Sequence, residues 1–274
     1  MADRPLNILC FGAHPDDCDL RLGCLALLYR QHGHRVRFVS LTNGDSGHYS
    51  QGGGPLARRR YAEARAAAQI ADIEYDLLDI HDGELEPTVE NRKTVIRIMR
   101  EFKADLVLCH RENDYHPDHR AVGTLVQDAA YTVTVPNIVP LTPHLETAPV
   151  VGYGYDPFRN PTPYRATVAV DTDDIFDRKV SMIHCHASQF YEWLPYNRGC
   201  LEEVPSDEAA RRSWLRERLL KRFGAIADEV RDLLIETYGA ERGAQIRTAE
   251  TVSISEYGRA LTEEDRKRLF PFLP

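Results

Sequence analysis

The stretch Leu6–Gly23, LNILCFGAHPDDCDLRLG, decides how the rest of the chain is read. Its first half, Leu6–Ala13, is an unbroken apolar run rich in strand formers, and such runs mark strands buried on both faces of a parallel sheet. His14, Asp16 and Asp17 follow at once, and an amphipathic helical pattern begins behind them. Helix-start chemistry alone would account for a proline and an aspartate there, since both are ordinary in the first turn and carboxylates complement the helix dipole. It would not account for the histidine.

The same strand signal recurs at Val36–Thr42, Tyr75–Ile80 and Leu106–Cys109. Helical spacing separates the runs: Leu22, Leu25, Leu28 and Tyr29, then Ala64 to Ile70, then Val95, Ile98, Met99 and Phe102. Gly33 is placed to end the first helix as its C′ residue. Strands alternating with helices predict an α/β, Rossmann-like sandwich with a mostly parallel sheet. Its active site belongs at the carboxyl ends of the strands. Residues 136–163 hold seven of the sixteen prolines and read as an irregular excursion. Ala166–Asp171 returns to strand, a helix is expected through Asp174–Gln189, and a helical extension runs from about 207 to 274. Within that extension Thr251–Tyr257, TVSISEY, reads as an edge strand. No linker divides the chain, so 1–274 is expected to be one domain.

With 274 residues, 43% hydrophobic and 28% charged, the composition is that of a globular protein with a sizeable core. A net charge of −8 argues against a general binder of nucleic-acid backbones. No apolar run resembles a signal peptide or reaches the roughly 20 residues of a membrane span, so no membrane partner is expected. The six cysteines include no Cys-x-x-Cys pair, and Cys10 and Cys109 sit inside apolar runs. A reduced, cytoplasmic protein is the expectation.

The tripeptide His-Pro-Asp occurs twice, at His14–Asp16 and at His116–Asp118, each time after a strand and before a helix. In a parallel sheet both turns reach the same edge, so residues about a hundred apart in sequence can meet. Catalytic zinc takes three ligands from histidine and carboxylate and leaves a position for water. His14, Asp17 and His119 supply that set; manganese, iron and nickel also suit these donors. Asp16 stands beside the ligands without being one, placed to take a proton from water as general base. His116 could donate to a developing oxyanion.

These motifs resemble those of the PIG-L/LmbE-like family of zinc-dependent N-deacetylases, which remove acetyl groups from N-acetylglucosamine units and related amides. AHPDD and DYHPDH carry the resemblance, with support from TNGDSG (Thr42–Gly47), RYAE (Arg60–Glu63), HDGEL (His81–Leu85) and KVSMIHCHASQ (Lys179–Gln189). Matched position by position, it implies His14, Asp17 and His119 as zinc ligands, Asp16 as general base and His116 as the group that steadies the oxyanion or protonates the amine. It also puts Arg60 and Asp82 near the sugar as substrate-binding residues. The partner implied is a small amino sugar or glycoconjugate, and assembly into homo-oligomers is in keeping with the family. One departure is Cys18, where family members commonly carry glutamate; a helix-facing structural role is expected for it.

Other residues have plainer expectations. His110 closes a strand near the site, and His184 and His186 are expected to orient or pack. Gly47–Pro55 reads as a mobile lid, and Tyr191 and Trp193 as packing residues or a sugar platform. Two alternatives stay open within this reading: an amidase for a thiol-glycoside or antibiotic conjugate, and a metal-bound module that binds without catalysis. A nucleotide-binding module would need a glycine-rich loop after the first strand, where this chain has bulky and acidic groups.

Overall fold

The computed structural model describes residues 4–274. Its first half runs β1 (Asn7–Gly12), α1 (Asp17–Gln31), β2 (Arg35–Thr42), α2 (Gly53–Ala71), β3 (Glu74–Ile80), α3 (Val89–Phe102), β4 (Leu106–Cys109) and α4 (Pro117–Thr132). Then come β5 (Val150–Gly154), β6 (Val168–Asp171), α5 (Phe176–His184), a π-helical turn at Ser188–Trp193 and α6 (Leu194–Asn197). The chain closes with α7 (Glu208–Glu229), α8 (Arg231–Tyr238), α9 (Ala240–Gln245), β7 (Ala249–Ile254) and α10 (Glu263–Leu269).

The strands form one sheet in the order β3-β2-β1-β4-β5-β7-β6. The first five are parallel, and β7 runs antiparallel to both β5 and β6. Every residue of β1 is buried, because β1 is flanked on both edges and covered on both faces. Its side chains alternate: Ile8 and Cys10 join the core under α1, α2, α5 and α7, while Leu9 and Phe11 join the core under α3 and α4. The predicted α/β sandwich is therefore the observed one. Strand order reverses at β1 and β4, so a crevice opens at their carboxyl ends, where such sheets bind ligands.

Three sequence expectations need correction. The proline-rich excursion contains β5, whose VVGYG is hidden among prolines but fully buried beside β4. The strand within TVSISEY starts earlier, at Ala249, and lies inside the sheet rather than at its edge, because β6 pairs beyond it. The segment from 207 onward is thus helical only in part. Gly33 takes φ +77° just past α1, as expected of a C′ residue.

The excursion is held at its start by Arg100 and at its end by Arg111, which bonds Asp156 and the Phe158 and Thr162 carbonyls. The buried Arg100 guanidinium donates to the carbonyls of Thr132, Val133, Val135, Ile138, Val139 and Thr142. It thereby adds a second partner to carbonyls of the α4 end and the loop behind it that already accept backbone N–H groups, and supplies one to Ile138 and Thr142.

Candidate active site

The crevice is built from the two His-Pro-Asp turns. After β1 the chain turns so tightly that a Cβ on Gly12 would lie 3.0 Å from Asp17 Cβ and 3.2 Å from Cys18 Sγ. Glycine at that position lets α1 start against the strand end. Asp17 then folds back, and its Oδ2 accepts from the N–H groups of Ala13 at 3.0 Å and His14 at 2.8 Å. From the other turn, α4 projects His119 toward the same point, with His116 as its N-cap.

The structure brings His14, Asp17 and His119 together. His14 Nδ1 lies 3.3 Å from Asp17 Oδ2 and 3.2 Å from His119 Nε2, and His119 Nε2 lies 3.4 Å from Asp17 Oδ1. Ligands about 2.0–2.1 Å from a tetrahedral zinc are separated by about 3.3–3.4 Å. The contacts use different oxygens of Asp17, Oδ2 toward His14 and Oδ1 toward His119, so the three side chains are spaced like ligands of such a shell without one fixed triangle of donor atoms. Neighbouring donors widen the choice: His14, His116 and His119 could hold an ion, as could Asp17, His110 and His119, or His14, Asp82, His116 and Asp118.

Each histidine turns its other nitrogen to a carboxylate. His14 Nε2 lies 3.3 Å from Asp118 Oδ2 and 3.2 Å from Asp82 Oδ1, and His119 Nδ1 faces Asp114 Oδ1 at 3.0 Å. Carboxylates behind ligating histidines fix the ring and its tautomer. Burial works against the charge on Asp17, yet His119 and His110 outweigh it and hold this carboxyl well below the usual range. His110 reaches Asp17 Oδ2 at 3.2 Å and stacks on His119 with centroids 4.1 Å apart. Burial, followed by the nearby His119 charge, pushes His110 down to about 3, so it is a neutral ring.

Asp16 stays out of the cluster. Its carboxylate accepts from Arg60 at 2.7 Å. Arg60 is only 2% exposed and passes against Gly44, where a Cβ would lie 2.6 Å from the guanidinium. Gly44, with φ +70°, leaves that path open. Arg60 NH1 also lies 3.5 Å from Asp82 Oδ2. Glu63 does not pair with Arg60; it accepts from Ser188 N–H and Oγ–H at 2.9 and 2.6 Å. His116 accepts from the Asp118 N–H through Nδ1 at 3.2 Å, so its neutral form carries the proton on Nε2. Burial and the charges of His14 and His119 lower its pKa, which favours that neutral form.

His110 stands beside the candidate ligands, as its place at a strand end near the site suggested, whereas Asp114 and Asp118 were not legible as such from the sequence. Their signal was there in DYHPDH, in which acidic residues alternate with the histidines, but nothing in it said which carboxylates would face which rings. Cys18 is 2% exposed and packs in the core beneath α1, as expected. The Gly47–Pro55 stretch is a pinned loop only to Gly52, since Gly53 opens α2: Gly47 bonds Asp82 and Gln189, and His48 bonds Glu192 at 2.9 Å. Tyr191 is buried, its hydroxyl 2.6 Å from His184 Nδ1, and so packs. His186 is fully buried beside Asp19 at 3.2 Å.

Comparison with known proteins agrees with this architecture. A family model described as PIG-L, GlcNAc-PI de-N-acetylase, matches residues 9–130, the segment that contains both turns. Diacetylchitobiose deacetylase of Thermococcus kodakarensis is 31% identical over 217 residues, 72% of this chain and 78% of that protein. The chain belongs to the PIG-L deacetylase family. The 4-oxalmesaconate hydratase of Pseudomonas putida is 26% identical over 205 residues, 72% of this chain and 79% of that protein. The N,N'-diacetylchitobiose deacetylase structure from Pyrococcus horikoshii shares the fold, with a TM-score of 0.71 at 22% identity, covering 91% of this chain and 84% of that one. No helix among the described residues is long and apolar enough to cross a membrane.

Proposed function

We propose that this protein is a zinc-dependent N-deacetylase that hydrolyses the N-acetyl group of an N-acetylglucosamine-type sugar or glycoconjugate. The observation that carries the reading is the close set of His14 Nδ1, the two Asp17 carboxylate oxygens and His119 Nε2, spaced at 3.2–3.4 Å, with Asp16 turned to Arg60 beside it. The kinship with a diacetylchitobiose deacetylase supports the substrate class.

His14, Asp17 and His119 would hold the ion. Zinc bound there supplies Lewis acidity, lowering the pKa of water toward about 7 and polarising the amide carbonyl. Asp16, oriented by Arg60, takes the proton of the attacking water. His116 presents Nε2–H to the carbonyl oxygen as negative charge develops, which is where a fixed donor is most effective. The proton held by Asp16 then passes to the departing amine, leaving acetate and a free amino sugar.

Arg60 and Asp82 enter this scheme chiefly through their neighbours. Arg60 directs its donors to Asp16 and the Gly44 carbonyl, and Asp82 faces His14. Bracing the base and a ligand is the role their geometry supports, ahead of the direct sugar contact expected from the sequence.

The test is acetate release from N-acetylglucosamine and its oligomers by zinc-loaded protein. Asp16→Asn should keep stoichiometric metal and lose activity by about 10²–10⁴-fold. A chain that hydrates an unsaturated acid and releases no acetate would instead follow its hydratase relative.

A further inference from the structure

Between α1, the segment from the π-helical turn through α6, and α7 lies a cleft with a cavity of about 420 Å³. Its floor is apolar, built around Leu20 and Trp214. Arg198, Arg218, Lys221 and Arg222 line it, and no carboxylate does. In a chain of net charge −8 this is a local reversal of sign. Arg218 leans on Trp214, 4.6 Å from the ring, and lies 3.5 Å from Glu203. Among the described residues, Arg198, Lys221 and Arg222 have no ion-pair partner, whereas most other arginines of the chain do. Arg198, Lys221 and Arg222 stand exposed at the rim of the cavity without ion pairs, like charges so placed repel one another, and an anion relieves that repulsion.

The cleft adjoins the active site through α1. Leu20, in its floor, donates its N–H to the Asp16 carbonyl at 3.0 Å. The next residue, Arg21, bonds Asp114 at 3.0 Å, and Asp114 faces His119. A smaller cavity touched by Leu20, Arg21, Tyr155, Arg222 and Glu250 lies on that side, the Glu250 carboxylate already taken by Lys179. Arg222 is also within electrostatic reach of Tyr115, whose ring lies 5.7 Å from His116.

We propose that this cleft is a subsite for an acidic aglycone, the part of the substrate beyond the amino sugar, with an apolar body and an anionic head. The body packs on Leu20 and Trp214, and the head, a carboxylate or phosphonate-like group, sits between Arg198 and Arg222, whose planar forks suit either. The inference rests on the deacetylase reading and narrows its substrate class. It also gives the C-terminal third of the chain a share in specificity.

The experiment compares phenyl, 4-carboxyphenyl and 4-phosphonophenyl N-acetyl-β-glucosaminides with the zinc-loaded full chain. Binding is read from the fluorescence of the two tryptophans, of which Trp214 lines the cleft, and acetate release is followed on the same compounds. The acidic glycosides should bind at least about tenfold more tightly than the phenyl glycoside. That advantage should shrink with added salt. Arg198→Ala/Arg222→Ala should erase it and leave handling of the phenyl glycoside unchanged, and Arg198→Lys/Arg222→Lys should retain part of it. Equal binding of neutral and acidic compounds, or a preference that survives the double alanine variant, overturns the subsite. Acidic preference without acetate release supports the subsite and overturns the deacetylase reading.

Discussion

Asp114 lies one residue removed from the reacting atoms, yet it faces His119 Nδ1 and is tied in turn to Arg21 and the His116 N–H. Asp114→Asn should therefore weaken zinc binding by about 10–100-fold and leave the fold intact, as measured by competition with a chromophoric chelator and by circular dichroism. His119→Ala, which removes a donor outright, should abolish stoichiometric zinc. At this scale the sequence was informative wherever one short motif held both the residue and its placement. His14, Asp17 and His119 could be brought together from the repeat of His-Pro-Asp and the rule that parallel strands end on one edge. Arg60 shows the limit of that reasoning. Its route to Asp16 depends on Gly44, sixteen positions away and on another loop, and no local pattern announces that the two must touch.

Among the elements, α1 depends on a buried pair that no local pattern reveals. The Lys179 ammonium donates to the Leu20 carbonyl at 2.7 Å and to Glu250, which accepts from the Cys24 and Leu25 N–H groups at 2.9 and 2.8 Å. Lys179 comes from α5 and Glu250 from β7, so the pair ties three elements together, with Lys179 Nζ 3.6 Å from the Phe223 ring centre of α7. Lys179→Met leaves Glu250 buried and uncompensated and should cost about 3–5 kcal/mol in denaturant unfolding. Lys179→Met/Glu250→Leu should recover a large part of that loss. A second element-level test concerns α10. Burial disfavours the charge on Asp265, but Arg259, Thr262 and Arg268 outweigh it and hold its carboxyl below the usual value. Its stabilising effect is thus present above the unfolded pKa of about 3.9 and is lost as pH falls toward the lower folded value. Asp265→Asn should lower Tm at pH 7, and the two proteins should converge as pH falls below the depressed folded value of that carboxyl.

Across the whole molecule, β1 to β4 were legible because each is a strand-forming run followed by a helix with apolar residues at helical spacing, although α1 is buried nearly all round rather than amphipathic. The other half was not. β5 sits between prolines, and β7 is inserted antiparallel between β5 and β6, an arrangement set by long-range pairing rather than by periodicity. That insertion carries Glu250 to α1, and α7 packs over it with the cations that line the cleft. In the proposed site both halves take part: the amino-terminal strands deliver the donors, and the carboxyl-terminal helices line the cleft assigned to the aglycone. The central claim is that this cleft and these donors serve hydrolysis of an acetamide. The most direct measurement is the stoichiometry of acetate and free amine formed from diacetylchitobiose by the zinc-loaded chain and by its Asp16→Asn variant. Equal amounts of both products from the wild type, with activity lost and zinc kept in the variant, is the predicted result. Unchanged acetate release from the Asp16→Asn variant would contradict the account.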